Sequence, residues 1–447
     1  MNRNLLILLV NILSVFFLTC EQNKTPLQTA SVTKLTLSLE DVTCTEVWLR
    51  LTVEELSGQA AIRLLRNDSI VYNEPLNTGD TLLYDSGLLP NASYRYQALL
   101  TENGKPLSQS PVVSVQTMDT TSHEFQWETI EFPSPYGSAT LYDVAIVNEN
   151  DIWACGEIYS DSTQPWLPYN AVHWDGQQWE LKRITVDYRG QPSLAPLRGV
   201  FCLPTNQIIF SSGLPYLPEG NGWKLYHLWD MGILNSNDGS VYKIWGTSLD
   251  DLYFAGLKGT IVHYNGSSWQ KLESGTKVDL LDIWGSPDGS VVWACGYKDF
   301  VGTVLLKITG DEVDKLYEDY DHWYTIREDS ISGVITSVWA NHSDILWLVS
   351  PWGMYRAPAN TRGEARRFAL NAGSFPGFPQ RLRGRAANDI FVAGDFSFIG
   401  HFNGLRWHHF TEFQGRIRFR SMALIQQTAV LVGTDLSTGE AVIVKAE

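Results

Sequence analysis

The stretch Ile244–Leu272 reads IWGTSLDDLYFAGLKGTIVHYNGSSWQKL, and Leu280–Gly296 reads LLDIWGSPDGSVVWACG. Both set an apolar-Trp-Gly step before a polar turn, then an aromatic-rich apolar run that ends in Gly. The pattern recurs along the chain. YDVAIVNENDIWACGE with NAVHWDGQQWELKRI, from Tyr142, is a first copy, and LRGVFCLPTNQIIFSSG with KLYHLWD, from Leu197, is a degenerate second. The two quoted stretches open the third and fourth. ITSVWANHSDILWLVS with GMYRAP, from Ile335, is a fifth; QRLRGRAANDIFVAGD with FIGHFNGLRWHHF, from Gln380, a sixth; RSMALIQQTAVLVGTD with EAVIVKAE, from Arg420, a seventh.

Each unit spells a strand, a turn, a strand ending in Gly, a third strand, and a fourth opened by Trp. Four strands in roughly 40 residues is the signature of a β-propeller blade. The recurring residues then have structural jobs. Gly246, Gly285 and Gly384 follow the inner strand, where blades crowd the axis. Gly156, Gly256, Gly296, Gly394 and Gly433 end the second strand and are read as tight-turn residues. Asp175-Gly176, Asn265-Gly266 and Asn403-Gly404 are hairpin turns, and Trp179, Trp269 and Trp407 after them are expected to pack between blades. The seventh copy lacks its Trp-opened strand, and a spare segment of that type, EFQWETIEF, lies at Glu124–Phe132. Pairing the two closes the ring and leaves no open sheet edge. The units resemble the VWG…DVWAVG…H-x-D-G-x-x-W propeller repeats of secreted bacterial proteins over residues 125–447, a group with no common activity to carry over.

Composition agrees with an all-β chain. Of 447 residues 44% are hydrophobic, with Trp 17, Tyr 19 and Phe 18, and aromatic side chains suit a pleated surface. The net charge of −16 disfavours a nucleic-acid binder. At the N-terminus, MNRNLLILLVNILSVFFLTC has Arg3, an apolar run too short for a comfortable membrane span, and Cys20. It resembles a bacterial lipoprotein signal, which implies lipidation of Cys20 after removal of residues 1–19 and an envelope location, periplasmic or cell-surface. Cys44, Cys155, Cys202 and Cys295 sit in apolar runs without close pairing, so buried free thiols are expected and neither a disulfide framework nor a metal site is. Residues 20–30 read as a tether. Residues 31–118 are a string of short strands, and GLLPNASYRYQALL resembles the fibronectin type III pattern Leu-x-Pro-x-x-x-Tyr. That resemblance implies Tyr94 as the corner tyrosine and Trp48 as the core tryptophan. Residues 119–124 are a linker. The expected fold is an immunoglobulin-like (fibronectin type III) sandwich followed by a seven-bladed β-propeller.

No HExxH, P-loop, GxGxxG, GxSxG or paired-Cys zinc pattern is present, and no cofactor is implied. Asp314, Glu318, Asp319 and Asp321 show no fixed dyad spacing. The loops between second and third strands, and between successive blades, read as long and aromatic. They carry Tyr159, Trp166, Tyr169, Tyr216, Trp223, Tyr297, Phe300, Tyr320, His322, Trp323, Tyr324, Trp352, Phe396 and Phe398. From Arg356 to Arg420 there are eleven Arg, no Lys and four acidic residues, a local +7. Arg383 stands where Trp245 and Trp284 stand in their own copies, and Arg381, Arg416, Arg418 and Arg420 flank the inner strands of the last two. Arg suits carboxylate, sulfate or phosphate, or else ion pairs between blades. The candidate ligand residues are therefore Tyr216, Trp223, Tyr297, Trp323, Tyr324, Trp352, Arg383, Arg416 and Arg418. The leading reading is a lipid-anchored, non-enzymatic binding protein for a protein or polymer, such as an anionic glycan. A glycan lyase or hydrolase on the same loops and an envelope assembly scaffold are the alternatives.

Overall fold

The computed structural model describes residues 34–54, 60–76, 79–299, 302–320, 330–363, 365–368, 375–413 and 416–447. Cys20, Phe300, Asp321, His322, Trp323 and Tyr324 lie outside them. Among the described residues, regular structure is strand throughout apart from one 3-10 turn, Leu257–Gly259, and no helix is long and apolar enough to cross a membrane.

The chain divides into two compact units. Of the described residues, one holds 34–40, Trp48–Tyr84 and Tyr94–Val115; the other holds Gln116–Glu447 with the short segments Asp41–Val47 and Asp85–Ser93. In the N-terminal strands, Lys34–Val42, Glu46–Glu54 and Asp80–Ser86 form one sheet with the middle segment central. A second sheet orders Ser69–Leu76, Ala60–Arg66, Ser93–Glu102 and Lys105–Gln109, with Val113–Gln116 also on Ser93–Glu102. Burial alternates along Ala60–Arg66, as a strand with one covered face requires. Trp48 is buried and stacks on Tyr84 at 5.5 Å between centroids; Tyr94 is half-buried under the Arg66 guanidinium.

The larger unit contains seven four-stranded antiparallel sheets among its described residues, a β-propeller arrangement. Their first strands are Thr140–Asn148, Gly199–Cys202, Val241–Ser248, Asp282–Gly285, Ser337–Trp339, Pro379–Ala386 and Ile417–Ile425. Each packs on the next, and that of the seventh packs on that of the first. The outer strand of the seventh sheet is Trp127–Phe132, running antiparallel to Ala441–Ala446.

The Trp-Gly step works across sheets rather than within one. A Cβ on Gly285 would sit 2.1 Å from the Trp245 indole, and one on Gly384 would sit 2.7 Å from that of Trp339. Trp284 meets Ala340 instead, donating its indole N–H to that residue's carbonyl at 3.0 Å. The glycines that end the second strands are not turn residues, which corrects the sequence reading. Their φ angles are ordinary, but a Cβ at Gly156, Gly256, Gly296, Gly394 or Gly433 would lie 1.9–2.1 Å from a backbone carbonyl oxygen of the first strand or of the residues leading into it. In the first, third, sixth and seventh sheets that strand carries a bulge here, so two residues face one and the carbonyl takes the side-chain space. Gly176, Gly266 and Gly404 do need left-handed backbone, with φ of 88°, 84° and 90°. Each follows an Asp or Asn whose side chain accepts the next two backbone N–H groups.

The recurrent histidines are scaffold. His173, His263 and His401 stack on Trp153, Tyr253 and Phe391 at 4.0, 4.2 and 4.5 Å, and each has Nε2 on an Asp at the start of the second strand: Asp151, Asp251 and Asp389. Cys44, Cys155 and Cys295 are buried free thiols and Cys202 is half-buried; burial holds all four above the usual thiol range.

Candidate functional site

Aligning the first strands puts one residue from each sheet at every level along the axis. One level reads Asp143, Gly199, Lys243, Asp282, Ser337, Arg381 and Ser421. It bounds an axial cavity of about 200 Å³ whose wall includes Asp143, Lys243, Asp282, Arg383 and Ser421. Gly199, with no side chain, stands between Asp143 and Lys243, and the ammonium spans that gap to Asp143 at 3.0 Å. Ser421 donates to the other Asp143 oxygen at 2.5 Å. Across the ring Asp282, 1% exposed, accepts from Arg383 at 2.8 and 2.9 Å, from the Val338 N–H at 3.1 Å, from Ser337 Oγ, and pairs with Arg381. Burial alone would raise the Asp282 pKa, but Arg381 and Arg383 outweigh it and hold the carboxyl well below its usual range. Burial lowers the Lys243 ammonium, against the pull of Asp143.

At the far end, where the first strands turn into the second, a second cavity of about 460 Å³ shares Phe201, Cys202 and Trp284 with the first and adds Leu203, Pro204, Trp245 and Pro287. The connections there are short, as at Asn148–Asp151 and Ser248–Asp251. At the near end the connections from fourth to first strands are long: Leu225 to Val241, Lys182 to Gly199 with its own hairpin Val186–Tyr188/Gln191–Ser193, and Asp319 to Ser337. Connections from second to third strands are not long, apart from Ile158 to Tyr169 in the first sheet; Ser211 to Pro215 is a tight link.

That geometry relocates several sequence candidates. Tyr216 and Trp223, expected on a loop, lie on the third and fourth strands of the second sheet; Tyr216 is 1% exposed, and Trp223 donates to the Ile208 carbonyl and packs on Phe210 and Trp153. They fill the space between the first two sheets because Ser211–Pro215 leaves no loop to carry them. Arg383 lies within the axial cavity, its guanidinium 4.5 Å from the Trp284 ring centroid. Arg416 forms ion pairs with Asp435 at 2.7 Å and Glu131 at 3.2 Å, and Arg418 forms one with Asp395 at 3.2 Å. Tyr297 is close enough to Asp395 and Arg418 to feel both charges, and burial pushes its hydroxyl up to about 12. The near end thus brings Tyr297 and Arg418 together around Asp395. Trp352, in the Ser350–Gly353 turn, covers Gly333. Asp314 is exposed, while Glu318 is held by Lys315 and Thr276. Sequence reading missed Asp143, Lys243 and Asp282, although counting two residues back from the Trp position of each copy gives their shared level.

No family model matches the chain, and no curated protein matches it. Among solved structures it is similar to YCF48 bound to D1 peptide, at 16% identity and TM-score 0.48 over 71% of this chain and 94% of that one. It is also similar to YCF48 from Cyanidioschyzon merolae, at 12% and 0.48 over 71% and 98%, and to the Pan2 WD40 domain of Neurospora crassa, at 13% and 0.45 over 71% and 95%. The propeller arrangement of this chain rests on its own sheet order.

Proposed function

We propose that the chain is a non-catalytic binding protein of a bacterial envelope, lipid-anchored at Cys20, with a fibronectin type III domain and a seven-bladed propeller. The sheet orders of the N-terminal strands and the cyclic packing of seven inner strands support the two domain readings. The ligand, a protein or polymer, seats at the near end of the axis, where the long connections lie; loops on a rigid scaffold are where binding residues gather.

The observation that carries binding over catalysis is the saturation of the axial carboxylates. An acid–base catalyst needs a group near neutrality and free to exchange its proton with a substrate. Asp282 is instead fixed as an anion by two guanidinium groups, and Asp143 is engaged by Lys243 and Ser421. The test is the full chain in detergent on an array of envelope proteins and of acidic and neutral glycans, repeated with Trp352→Ala, Tyr297→Ala and Arg418→Ala. A hit that weakens tenfold or more in at least one variant supports this end as the binding face. Hits unmoved by all three would overturn it, and product release from a bound array ligand would overturn the non-catalytic reading.

A further inference from the structure

One level nearer the mouth than Asp143, four contiguous sheets carry Arg420, Tyr142, Arg198 and Tyr242 in turn. Three are the extra residues of the first-strand bulges, between Phe419 and Ser421, Leu141 and Asp143, and Val241 and Lys243. Arg198 is their counterpart, immediately before Gly199, with its N–H on the Ser211 carbonyl at 2.7 Å. A bulge re-aims the side chain that regular pleating would have sent elsewhere, so three members of the row share one distortion and Arg198 joins them from the residue before its strand. The Arg198 guanidinium lies 4.8 Å from the Tyr142 ring centroid and 5.5 Å from that of Tyr242, and the Arg420 guanidinium lies 5.6 Å from Tyr142. Both charges are within 5.6 Å of one ring, so they stand at most twice that distance apart.

The row is short of negative charge. Arg198 is exposed, and Arg420 is half-buried with Nε unpartnered among the described residues. The carboxylates nearby have other partners, although Glu157 touches the row itself through Tyr142. Asp395 takes Arg418 and Gln380, and Glu157 accepts from the hydroxyls of Tyr142 at 2.6 Å and Tyr159 at 3.1 Å. Burial and the like charges of Arg418 and Arg198 both lower the Arg420 pKa, although Asp395 opposes them. A self-repelling group of cations is relieved by an incoming anion.

The geometry points to this row as a docking site for an acidic segment of a polypeptide, with Arg198 and Arg420 each receiving a side-chain carboxylate. Planar guanidinium forks match carboxylates in two-point contact. Carboxylates at alternate residues of an extended segment stand about 6.6 Å apart, inside the span the two arginines allow. An acidic glycan fits less well: aromatic recognition of sugars needs an open ring face, and guanidinium groups already lie over Tyr142 and Tyr242. The inference rests on the near end being the binding end.

The test is titration of the full chain with a capped ten-residue peptide alternating Glu and Thr, its Gln-for-Glu counterpart, and oligogalacturonate of similar charge, at 0.1 M and 1 M salt. The Glu peptide should bind and weaken at high salt, and the Gln peptide should not bind. Arg198→Ala and Arg420→Ala should each weaken binding about tenfold or more. Exposed Arg198→Glu, which leaves the packing of the sheets alone, should abolish it and confer binding of a Lys-for-Glu peptide. No binding of the Glu peptide, equal binding by the variants, or tighter binding of oligogalacturonate would each overturn the assignment. If an array ligand loses affinity in Trp352→Ala, Tyr297→Ala or Arg418→Ala but not in Arg198→Glu, the acidic-segment assignment fails and the binding end stands; if it ignores all four, both fail.

Discussion

Replacing Asp282 by Asn tests how far the axial ring depends on one carboxylate. The substitution keeps the shape but removes the charge facing Arg381 and Arg383, whose side chains are 4% and 12% exposed. One of its two oxygens becomes an NH₂, so a donor is turned toward donors. Breaking a buried ion pair from one side costs about 3–5 kcal/mol, and with two cations left unneutralised the upper figure applies. At about 2 °C per kcal/mol for a large domain, the propeller transition should fall by about 10 °C in scanning calorimetry at pH 7. Asp314→Asn, at an exposed site, is the control and should shift it by no more than a degree or two. The pH arm has a definite sign. The folded pKa of Asp282 is depressed, so its contribution is fully present above the unfolded value near 3.9 and is lost as pH falls through the folded pKa. The wild type should therefore lose stability more steeply than Asp282→Asn as pH falls below about 4. A variant melting within 2 °C of wild type, or an identical acid slope in the two, would refute the claim that Arg381 and Arg383 depend on this carboxylate.

Gly256→Ala drives a Cβ to 2.0 Å from the Ser240 oxygen and should cost about 3 kcal/mol in denaturant titration, whereas Gly222→Ala, which meets open space, should change stability by less than about 0.5 kcal/mol. Equal effects would show that the bulge yields freely. Deleting Glu124–Phe132 strips the partner from Ala441–Ala446 and should produce concentration-dependent aggregation by light scattering; a monomeric, equally heat-stable product would count against edge protection. Cys20→Ser should move the protein out of the membrane fraction and abolish incorporation of labelled palmitate, and persistence of both would remove the lipoprotein reading.

The repeating features of the propeller could be read from sequence because the same packing problem is solved several times. Trp245, Trp284 and Trp339 recur because each indole lies against a Gly or Ala of the following sheet. His173, His263 and His401 recur because each closes the same bond to an Asp. Where a copy departs from the pattern the reading failed. Pro215 and Pro218 disguise the third strand of the second sheet as a loop, and Tyr216 and Trp223 went with it. The second-strand glycines were recognisable, but not their reason, since a carbonyl brought close by a bulge leaves no mark on the glycine's own neighbours in sequence. The mouth row was hidden for the same cause: strand alternation does not say which way an extra residue turns. Once the copies are aligned on the Trp position, counting three back puts Tyr142, Arg198, Tyr242 and Arg420 in one column.

The seventh sheet joins one strand that precedes the other six sheets in sequence to three that follow them. On the ribosome Trp127–Phe132 emerges first among the propeller's strands, and its partner Ala441–Ala446 emerges last. Until Ala441–Ala446 is made that early strand has no partner, and until Ile417–Ile425 is made the inner strand Thr140–Asn148 lacks one of its two neighbours. Closure is thereby tied to Ala441–Ala446: a chain stopped before that strand has six sheets with all their described strands and a seventh that cannot admit its outer one. The latch acts as a check that both halves of the closing sheet have been made, and a chain stopped before Ala441 is left with an unpaired strand open to aggregation.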